Sequence, residues 1–245
     1  MSSTTGGRLA SGPAVAVVGT RQCSAHGYYH TWQVCNHWVD KGYTVNSGLA
    51  RGIDKQAHMA TMEHGGRTQA FLANGLDICY PREHAGLLEE IVENGAAISP
   101  FFAGVRPLRH HFALRNALMC AWSDEVVVVE APEKSGGMMT AEFGRKSGNN
   151  VWTVESDSKS DRCSGNRKLL ALGAKPCRMP DGSPLVDPAP DNALVGLLRE
   201  TPMSTDELSR ALEKPFAALE ERLHALTLVH WVVFSGDGKW HYNGW

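Results

Sequence analysis

The chain has 245 residues, of which 42% are hydrophobic and 20% charged, a composition typical of a globular protein and not of a disordered one. Its formal net charge of −2 excludes a strongly basic protein, so any site for a polyanion must be a local patch of cations. No apolar run approaches the roughly 20 residues of a membrane span. The six cysteines form no CxxC pair, which argues against a zinc cluster and fits a reducing cytoplasm.

Residues 1–12 are rich in Ser, Thr and Gly, lack the apolar centre of a signal peptide, and predict a disordered tail of a cytoplasmic protein. Beyond them, short strand-like runs recur at Val15–Gly19, Tyr43–Asn46, Gln69–Leu72, Ala96–Ser99, Glu125–Glu130 and Asn150–Val154. The stretches between the runs predict helices at Tyr28–Lys41, Asp54–His64, His84–Asn94, Ala113–Trp122 and Thr140–Ser147. Alternating strands and helices are typical of βαβ units, so residues 13–178 are predicted to form an α/β domain with a doubly wound, Rossmann-like parallel sheet.

The pattern changes near residue 178. Residues 179–190 are rich in proline and predict a linker. Within residues 191–245, a capping box at Ser204 and Glu207 opens one helix, Pro215 opens another, and a turn at Gly236–Gly238 joins two short strands. Three short helices followed by a hairpin predict a small C-terminal winged-helix domain.

The charge of this second domain bears on its function. Residues 191–245 contain eight acidic and five basic side chains, and the third predicted helix carries Glu220 and Glu221. A winged helix that reads DNA needs a basic third helix. We therefore interpret the domain as a protein-contact or regulatory module.

The loops that follow the predicted strands contain glycines and, in three cases, a cation. They are Gly19–Arg21, Ser47–Asp54, Asn74–Asp77 and Ala131–Gly137. Because the carboxyl ends of parallel strands meet at one edge of a sheet, these loops are predicted to lie together. Glycines let backbone N–H groups approach a phosphate, and Arg21, Arg51 and Lys134 supply counter-charge. The set predicts a phosphate-lined groove, whereas any one glycine by itself is explained by a tight turn.

The most basic segment is Arg106–Asn116, which contains three arginines, two histidines and Phe112. Proteins bind single-stranded nucleic acid with cations along the backbone and aromatic rings that stack on the bases. Phe112 and Arg115 are three residues apart and share a face if a helix has begun. The segment alone is equally consistent with Phe112 in the core and solvated arginines.

Several motifs of other binding sites are absent from the sequence. No loop matches GxxxxGK[ST], which argues against a P-loop NTPase, and no GxGxxG follows the first strand, which argues against ordinary NAD binding. His26 and His30 are one helical turn apart and could share a metal ion. Neither a carboxylate nor a third ligand is near them in sequence, so we expect solvated histidines and no metal.

Six motifs in a fixed order cover residues 14 to about 177. They are Val17–Arg21, Ser47–Asp54, Gly75–Pro81, Phe112–Asn116, Glu130 and Ala131 with Ser135 and Gly136, and Gly165 and Asn166 with Leu169, Leu170 and Gly173–Lys175. The octapeptide Ser47–Asp54 is highly specific. Together the motifs resemble the DNA-processing family DprA, also called Smf. Residues 191–245 are similar to the winged helix that many members carry.

The resemblance implies a protein that binds single-stranded DNA without catalysis, protects incoming DNA, forms a homodimer and loads a RecA-type recombinase in natural transformation. It implies no cofactor and no membrane partner. The residues that it marks as contacts of DNA or phosphate are Arg21, Gly48, Arg51, Gly52, Phe112, Arg115, Asn116, Lys134, Ser135, Gly136 and Lys175. Asp54 would repel a phosphate, so we assign it to capping the helix that follows.

The chain departs from the family pattern at two places. Pro100 stands where members typically have a Glu after the Ser of the fourth strand. Glu155 and Ser156 stand where a Pro and a Gly typically follow the sixth strand. Glu155 is therefore expected to place an anion near the groove.

The alternative to a binding protein is an enzyme. Nucleotide phosphoribohydrolases of the same broad superfamily cut N-glycosidic bonds with an Arg and a Glu beside a Gly-Gly loop. Gly136–Glu142 resembles that loop, with Arg115 as the partner. Their Glu usually lies where this chain has Phe143, and a shift of one residue turns a helical side chain by about 100°. A module that senses a nucleotide without turnover is a third hypothesis.

Overall fold

The computed structural model describes residues 4–155, 160–178, 185, 192–228 and 232–243. The chain divides into two compact units, Met1–Leu185 and Val186–Trp245. Of the predicted linker at 179–190, only Leu185 lies within the described residues. It is buried in the core of the first unit, which therefore extends beyond the predicted boundary at residue 178.

The first unit is built on an eight-stranded sheet with the order β1-β5-β4-β3-β2-β6-β7-β8. Its strands are β1 (Thr4–Gly7), β2 (Ala14–Val18), β3 (Thr44–Ser47), β4 (Thr68–Phe71), β5 (Ala96–Ser99), β6 (Glu125–Val128), β7 (Asn150–Thr153) and β8 (Lys175–Pro176). Strands β2 to β8 are parallel, and β1 pairs antiparallel with β5. The prediction of a Rossmann-like α/β sheet is confirmed.

Six helices connect the parallel strands. They are α1 (Ala25–Asp40), α2 (Ile53–Glu63), α3 (Ala85–Asn94), α4 (Arg109–Ala121), α5 (Gly136–Ser147) and α6 (Ser164–Ala171). Local sequence fixes several of their ends. The Ser24 side chain accepts a hydrogen bond from the Gly27 N–H at the start of α1, and Gly148 ends α5 in a left-handed conformation with a φ of 83°.

Two hydrophobic layers cover the faces of the sheet. Successive strand residues point to opposite faces, so Val15 and Val17 of β2 pack in the layer formed with α1 and α2. Ala16 and Val18 pack in the layer formed with α4, α5 and α6. Burial on both faces explains why β2 and the last three residues of β6 are continuous apolar runs.

The chain order along the sheet reverses between β2 and β6. Strands β3, β4 and β5 extend to one side of β2, and β7 and β8 extend beyond β6 on the other. Open α/β sheets bind ligands in the crevice outside the carboxyl ends of the strands at such a reversal. The fold therefore brings the loops after β2 and β6 to the place where a site is expected.

Four details differ from the sequence prediction. Residues 4–7 of the predicted tail form β1, because a short segment can add to the exposed edge of β5. The edge strand β8 was not predicted. Helix α4 begins at Arg109, and α5 begins at Gly136, so the basic segment from Arg109 onward and the Gly-Gly loop are helical.

The second unit contains α7 (Asn192–Glu200), α8 (Thr205–Leu212), α9 (Phe216–Leu228), β9 (Val232–Phe234) and β10 (Trp240–Tyr242). The two strands pair antiparallel. The capping box is present, since Ser204 and Glu207 each accept from the other's backbone N–H. The helices and hairpin follow the predicted order, and the winged-helix assignment remains a prediction. Within the described residues, no helix is long and apolar enough to span a membrane.

Candidate nucleic-acid interface

A cavity of about 460 Å³ opens at the reversal of strand order. It lies between the loop after β2 and the first turns of α4 and α5. The side chains in its lining include Arg21, Asp54, Arg109, Phe112, Arg115 and Lys134. We call it the switch cavity.

The first turn of α5 forms one wall of the switch cavity. Ser135 is the N-cap, and its hydroxyl accepts from the Met138 N–H at 3.5 Å. The first backbone N–H groups of a helix lack partners within the helix and carry partial positive charge. With Lys134 beside them, Gly136 and Gly137 line an anion-binding corner.

Among the cavities that adjoin the switch cavity, two are lined by further cations. One, of about 320 Å³, shares Arg21 and Phe112 with it, and we call it the Arg51 cavity. The other, of about 730 Å³, shares Lys134 with it, and we call it the Lys168 cavity. The three cavities together form one surface, which we call the trough. The predicted cations Arg21, Arg51 and Lys134 therefore lie along the same edge of the sheet.

An aromatic pair lies at the junction of the switch cavity and the Arg51 cavity. The half-buried Phe112 ring packs against Tyr80 with ring centroids 5.9 Å apart, and Tyr80 is 45% exposed. The Arg21 guanidinium carbon lies 5.3 Å from the centroid of Phe112. A base that entered here would meet aromatic faces flanked by a cation, which favours stacking.

Arg51 is paired with a carboxylate of the same cavity. Its Nε donates to Glu83 Oε1 at 2.5 Å, and its Nη2 forms an ion pair with the same oxygen. The side chains are 66% and 48% exposed, so solvent reaches both. The backbone N–H of Glu83 and the Arg51 guanidinium hold the pKa of that carboxyl below its usual value.

Arg115, which the sequence predicts to contact DNA or phosphate, lines the switch cavity and is held by hydrogen bonds inside the protein. It is 4% exposed, and its Nη1 donates to the carbonyl oxygens of Gly48 and, at 2.7 Å, Phe71. Its Nε donates to Asn116 Oδ1 at 2.8 Å, and Asn116 is itself buried. Since these donors are engaged inside the protein, Arg115 braces the loop after β3, and Asn116 supports Arg115 in turn.

Gly48 and Gly52, both predicted to contact DNA or phosphate, lie where the structure leaves no room for a side chain. A Cβ on Gly48 would overlap with Arg115 Nη1, so the bracing of the loop requires a glycine there. Gly52 has a φ of 74°, and a Cβ on it would overlap with the Thr20 carbonyl. Gly48 lines the Arg51 cavity, whereas Gly52 lines none of the three cavities of the trough.

The capping role predicted for Asp54 is wrong. Gly52 is the N-cap of α2, and no side chain caps that position. Asp54 lies inside the first turn, is 6% exposed and lines the switch cavity. Burial raises the pKa of its carboxyl, while the nearby charge of Arg115 and the backbone N–H of Ala50 act in the opposite direction.

Lys175 is not at the trough. Its ammonium donates to Asn150 Oδ1 at 2.8 Å and lies 5.0 Å from the centroid of the Trp152 ring. Asn150 is the first residue of β7, so the ammonium lies toward the amino ends of the strands, away from the carboxyl edge. The prediction that Lys175 belongs to the groove is corrected accordingly. The position of the Lys175 ammonium depends on the residues of the neighbouring strand that it contacts, and the sequence does not reveal which residues these are.

Two glutamates also lie elsewhere than expected. Glu142 is exposed, pairs with Lys146 at 2.7 Å and lines the Lys168 cavity, whereas the buried Arg115 lines the switch cavity. The Arg and Glu of the hydrolase hypothesis thus line different cavities of the trough. Glu155 pairs with Arg178 at 3.4 Å and lines none of the three cavities, so it places no anion in the trough.

No group of three or more His, Cys, Asp or Glu side chains that could hold a metal ion occurs within the described residues. His26 is exposed on α1, as expected, but His30 is buried, with 7% exposure. Helix α1 packs against both α2 and the sheet, which covers much of its surface, including polar positions.

Sequence reasoning missed several residues of the trough, among them Tyr80, Glu83 and Arg109. Tyr80 and Glu83 follow β4 at some distance and reach the Arg51 cavity. Arg109 opens α4 and lines both the switch cavity and the Lys168 cavity. The only signals were the place of Tyr80 in a family motif and of Arg109 in the basic segment.

A family model described as DNA recombination-mediator protein A matches residues 6–182. The chain belongs to this family, DprA. It is 40% identical over 162 residues to the putative DNA processing protein DprA of Mycobacterium tuberculosis, a match that covers 66% of this chain and 42% of that protein. It spans about two fifths of the length of the first curated relatives, 41% and 42%.

Two solved DprA structures are similar to this chain. The protein from Streptococcus pneumoniae matches with a TM-score of 0.66 and 33% identity, over 69% of this chain and 60% of that one. DprA from Helicobacter pylori, whose structure concerns its single-stranded DNA binding mode, matches with a TM-score of 0.62 and 27% identity, over 67% and 74%. These matches agree with the family assignment.

Proposed function

We propose that this chain binds single-stranded DNA along the trough, with the phosphates on its cations and the bases against Phe112 and Tyr80. One observation carries the proposal: Arg51, Arg21 and Lys134 line adjoining cavities, and the aromatic pair lies where the switch cavity and the Arg51 cavity meet. The binding mode of the Helicobacter pylori relative supports it.

The aromatic pair favours a single strand over a duplex. Stacking on an aromatic side chain needs an exposed base face, which a duplex hides inside its own stack. The cations of the trough, by contrast, attract any phosphate backbone. The preference for single strands is therefore expected to depend on Phe112 and Tyr80.

We further propose the biological role that the family description suggests, that of a recombination mediator without catalytic activity. A homodimer in the cytoplasm would protect an incoming strand and load a RecA-type recombinase onto it during natural transformation. The family description supports mediation, and the acidic second unit, which would repel phosphate, is proposed as a protein-contact module. Light scattering tests the dimer, and strand-dependent ATP hydrolysis by an added recombinase tests loading.

A salt titration with a fluorescent oligo-dT strand tests the central proposal. Four phosphates on Arg21, Arg51, Arg109 and Lys134 predict that log K falls against log salt with a slope of about −3. A duplex of the same length is expected to bind more weakly at every salt concentration.

Two other outcomes would contradict the proposal. Failure of oligo-dT to bind at low salt, together with binding of a nucleoside monophosphate, would favour a nucleotide-sensing module. Release of free base from that nucleotide, abolished in Glu142→Gln, would show a hydrolase instead.

A further inference from the structure

The lining of the Arg51 cavity includes a carboxylate side chain, that of Glu83. The Glu83 carboxylate accepts from two donors of the Arg51 guanidinium, Nε and Nη2, although the two residues are 32 positions apart. Both side chains are exposed, and Arg21 and Tyr80 line the same cavity. A phosphate that binds Arg51 there would have to take the place of the Glu83 carboxylate.

The geometry points to Glu83 as a built-in competitor that displaces strand phosphates from Arg51 and so sets how fast the strand is released. This inference rests on the proposed binding of single-stranded DNA and adds a residue that governs its kinetics. Glu83 touches Arg51 and not the bases, so it acts on the strand through Arg51.

The competitor is effective because it is tethered. A group held beside its partner acts at an effective concentration of the order of millimolar or higher. Whenever a phosphate detaches from Arg51, the carboxylate can pair with the guanidinium before the phosphate returns. The remaining contacts at Arg21 and Lys134 then have to hold the strand, and dissociation becomes faster.

This competition differs from a general effect of negative charge. A charge at the rim of a site alters mainly the association rate, because it acts at long range on the approaching ligand. Competition for one guanidinium alters the dissociation rate. Glu90 on α3 is an exposed carboxylate outside the Arg51 cavity and provides a control with the same change in charge.

The experiment measures association and dissociation rates of oligo-dT by stopped-flow fluorescence with the full chain. Five proteins are compared: wild type, Glu83→Gln, Glu90→Gln, Arg51→Gln and the double variant Arg51→Gln with Glu83→Gln. Glu83→Gln is expected to slow dissociation roughly two- to five-fold, the range of an exposed ion pair. Glu90→Gln is expected to leave dissociation unchanged.

The double variant makes the test specific to the pair. Without the guanidinium there is nothing to compete for, so adding Glu83→Gln to Arg51→Gln should leave dissociation unaltered. Equal dissociation from wild type and Glu83→Gln, or faster dissociation from Glu83→Gln, would overturn the inference while the proposed function stands. If the wild type does not bind oligo-dT at low salt, both fall together.

Discussion

Arg21 joins two of the three cavities of the trough, because it lines both the switch cavity and the Arg51 cavity. Arg21→Gln is expected to weaken oligo-dT binding about tenfold and to reduce the salt slope by about 0.7, since one phosphate contact is lost. Lys175→Gln is the matched control, because Lys175 pairs with Asn150 toward the other edge of the sheet. Fluorescence titrations at several salt concentrations measure both. An equal loss in Lys175→Gln would place the strand elsewhere.

Phe112 is proposed to stack on a base and carries no charge. Phe112→Ala is expected to weaken oligo-dT binding by about 1–3 kcal/mol with an unchanged salt slope, and to reduce the preference over duplex. Phe102→Ala is the control, because Phe102 is 73% exposed and lines none of the cavities of the trough. The same titrations measure both variants, and a lower salt slope in Phe112→Ala would mean that the ring acts by holding Arg21 in place.

His58 makes the stability of the fold depend on pH. It is fully buried, its Nδ1 lies 2.7 Å from Thr68 Oγ1, and burial, with smaller contributions from Arg115 and His84, lowers its pKa to about 3. The unfolded chain takes up a proton below the ordinary value of 6.5 and the folded chain does not. The free energy of unfolding is therefore highest above pH 6.5 and falls as the pH is lowered toward 3, by about 2 kcal/mol at pH 5.

Urea unfolding at pH 7 and pH 5 measures this dependence. His58→Gln removes the titrating group, so its free energy of unfolding is expected to fall by about 2 kcal/mol less between the two values than that of the wild type. The comparison uses the change with pH, so a constant cost of the substitution does not affect it. Equal losses in the two proteins would show that other groups cause the acid sensitivity.

The loop after β3 depends on how tightly it packs on α4. A methyl group on Gly48 would overlap with Arg115 Nη1, and Arg115 is held by backbone carbonyls in the core. Gly48→Ala is expected to lower the free energy of unfolding by about 1–3 kcal/mol. Gly86→Ala on α3 meets open space and is expected to raise it by about 0.5 kcal/mol. Urea unfolding measures both, and a neutral Gly48→Ala would show that Arg115 moves freely.

The central elements could be predicted from sequence because their signals are local. The apolar run around Val15 and that around Val126 are buried on both faces of the sheet, and parallel topology alone brings their loops to one edge. The edge strands could not be predicted in the same way. Thr4–Gly7 and Lys175–Pro176 are short and weakly apolar, and they become strands only because a neighbouring edge accepts them.

The sequence predicted which residues lie at the candidate site, but not the partners that their side chains contact. Arg21, Arg51 and Lys134 follow strands and reach the trough, as the topology requires. Arg115 looked equally cationic in sequence, but its direction is set by carbonyl groups 44 and 67 residues away. The pairing of Arg51 with Glu83 likewise depends on two loops that meet only in the fold.

The two units of the molecule differ in charge and in their share of the trough. The second unit, Val186–Trp245, has nine acidic and five basic side chains, a net of −4 against −2 for the whole chain, so the first unit has a net charge of +2. All the residues that line the trough belong to the first unit, Met1–Leu185. The proposed polyanion site thus relies on cations concentrated along one edge of a protein that is not basic overall, as the composition required.

Removal of the second unit tests whether the first unit alone binds the strand. A chain that ends at Leu185 is expected to bind oligo-dT within about twofold of the full chain. It keeps every cation and ring of the trough and loses only the second structural unit, whose net charge is negative. Circular dichroism with thermal unfolding establishes that the shorter chain is folded, and fluorescence titration measures its affinity. A tenfold loss in a folded first unit would show that the second unit contacts the strand, against its acidic composition.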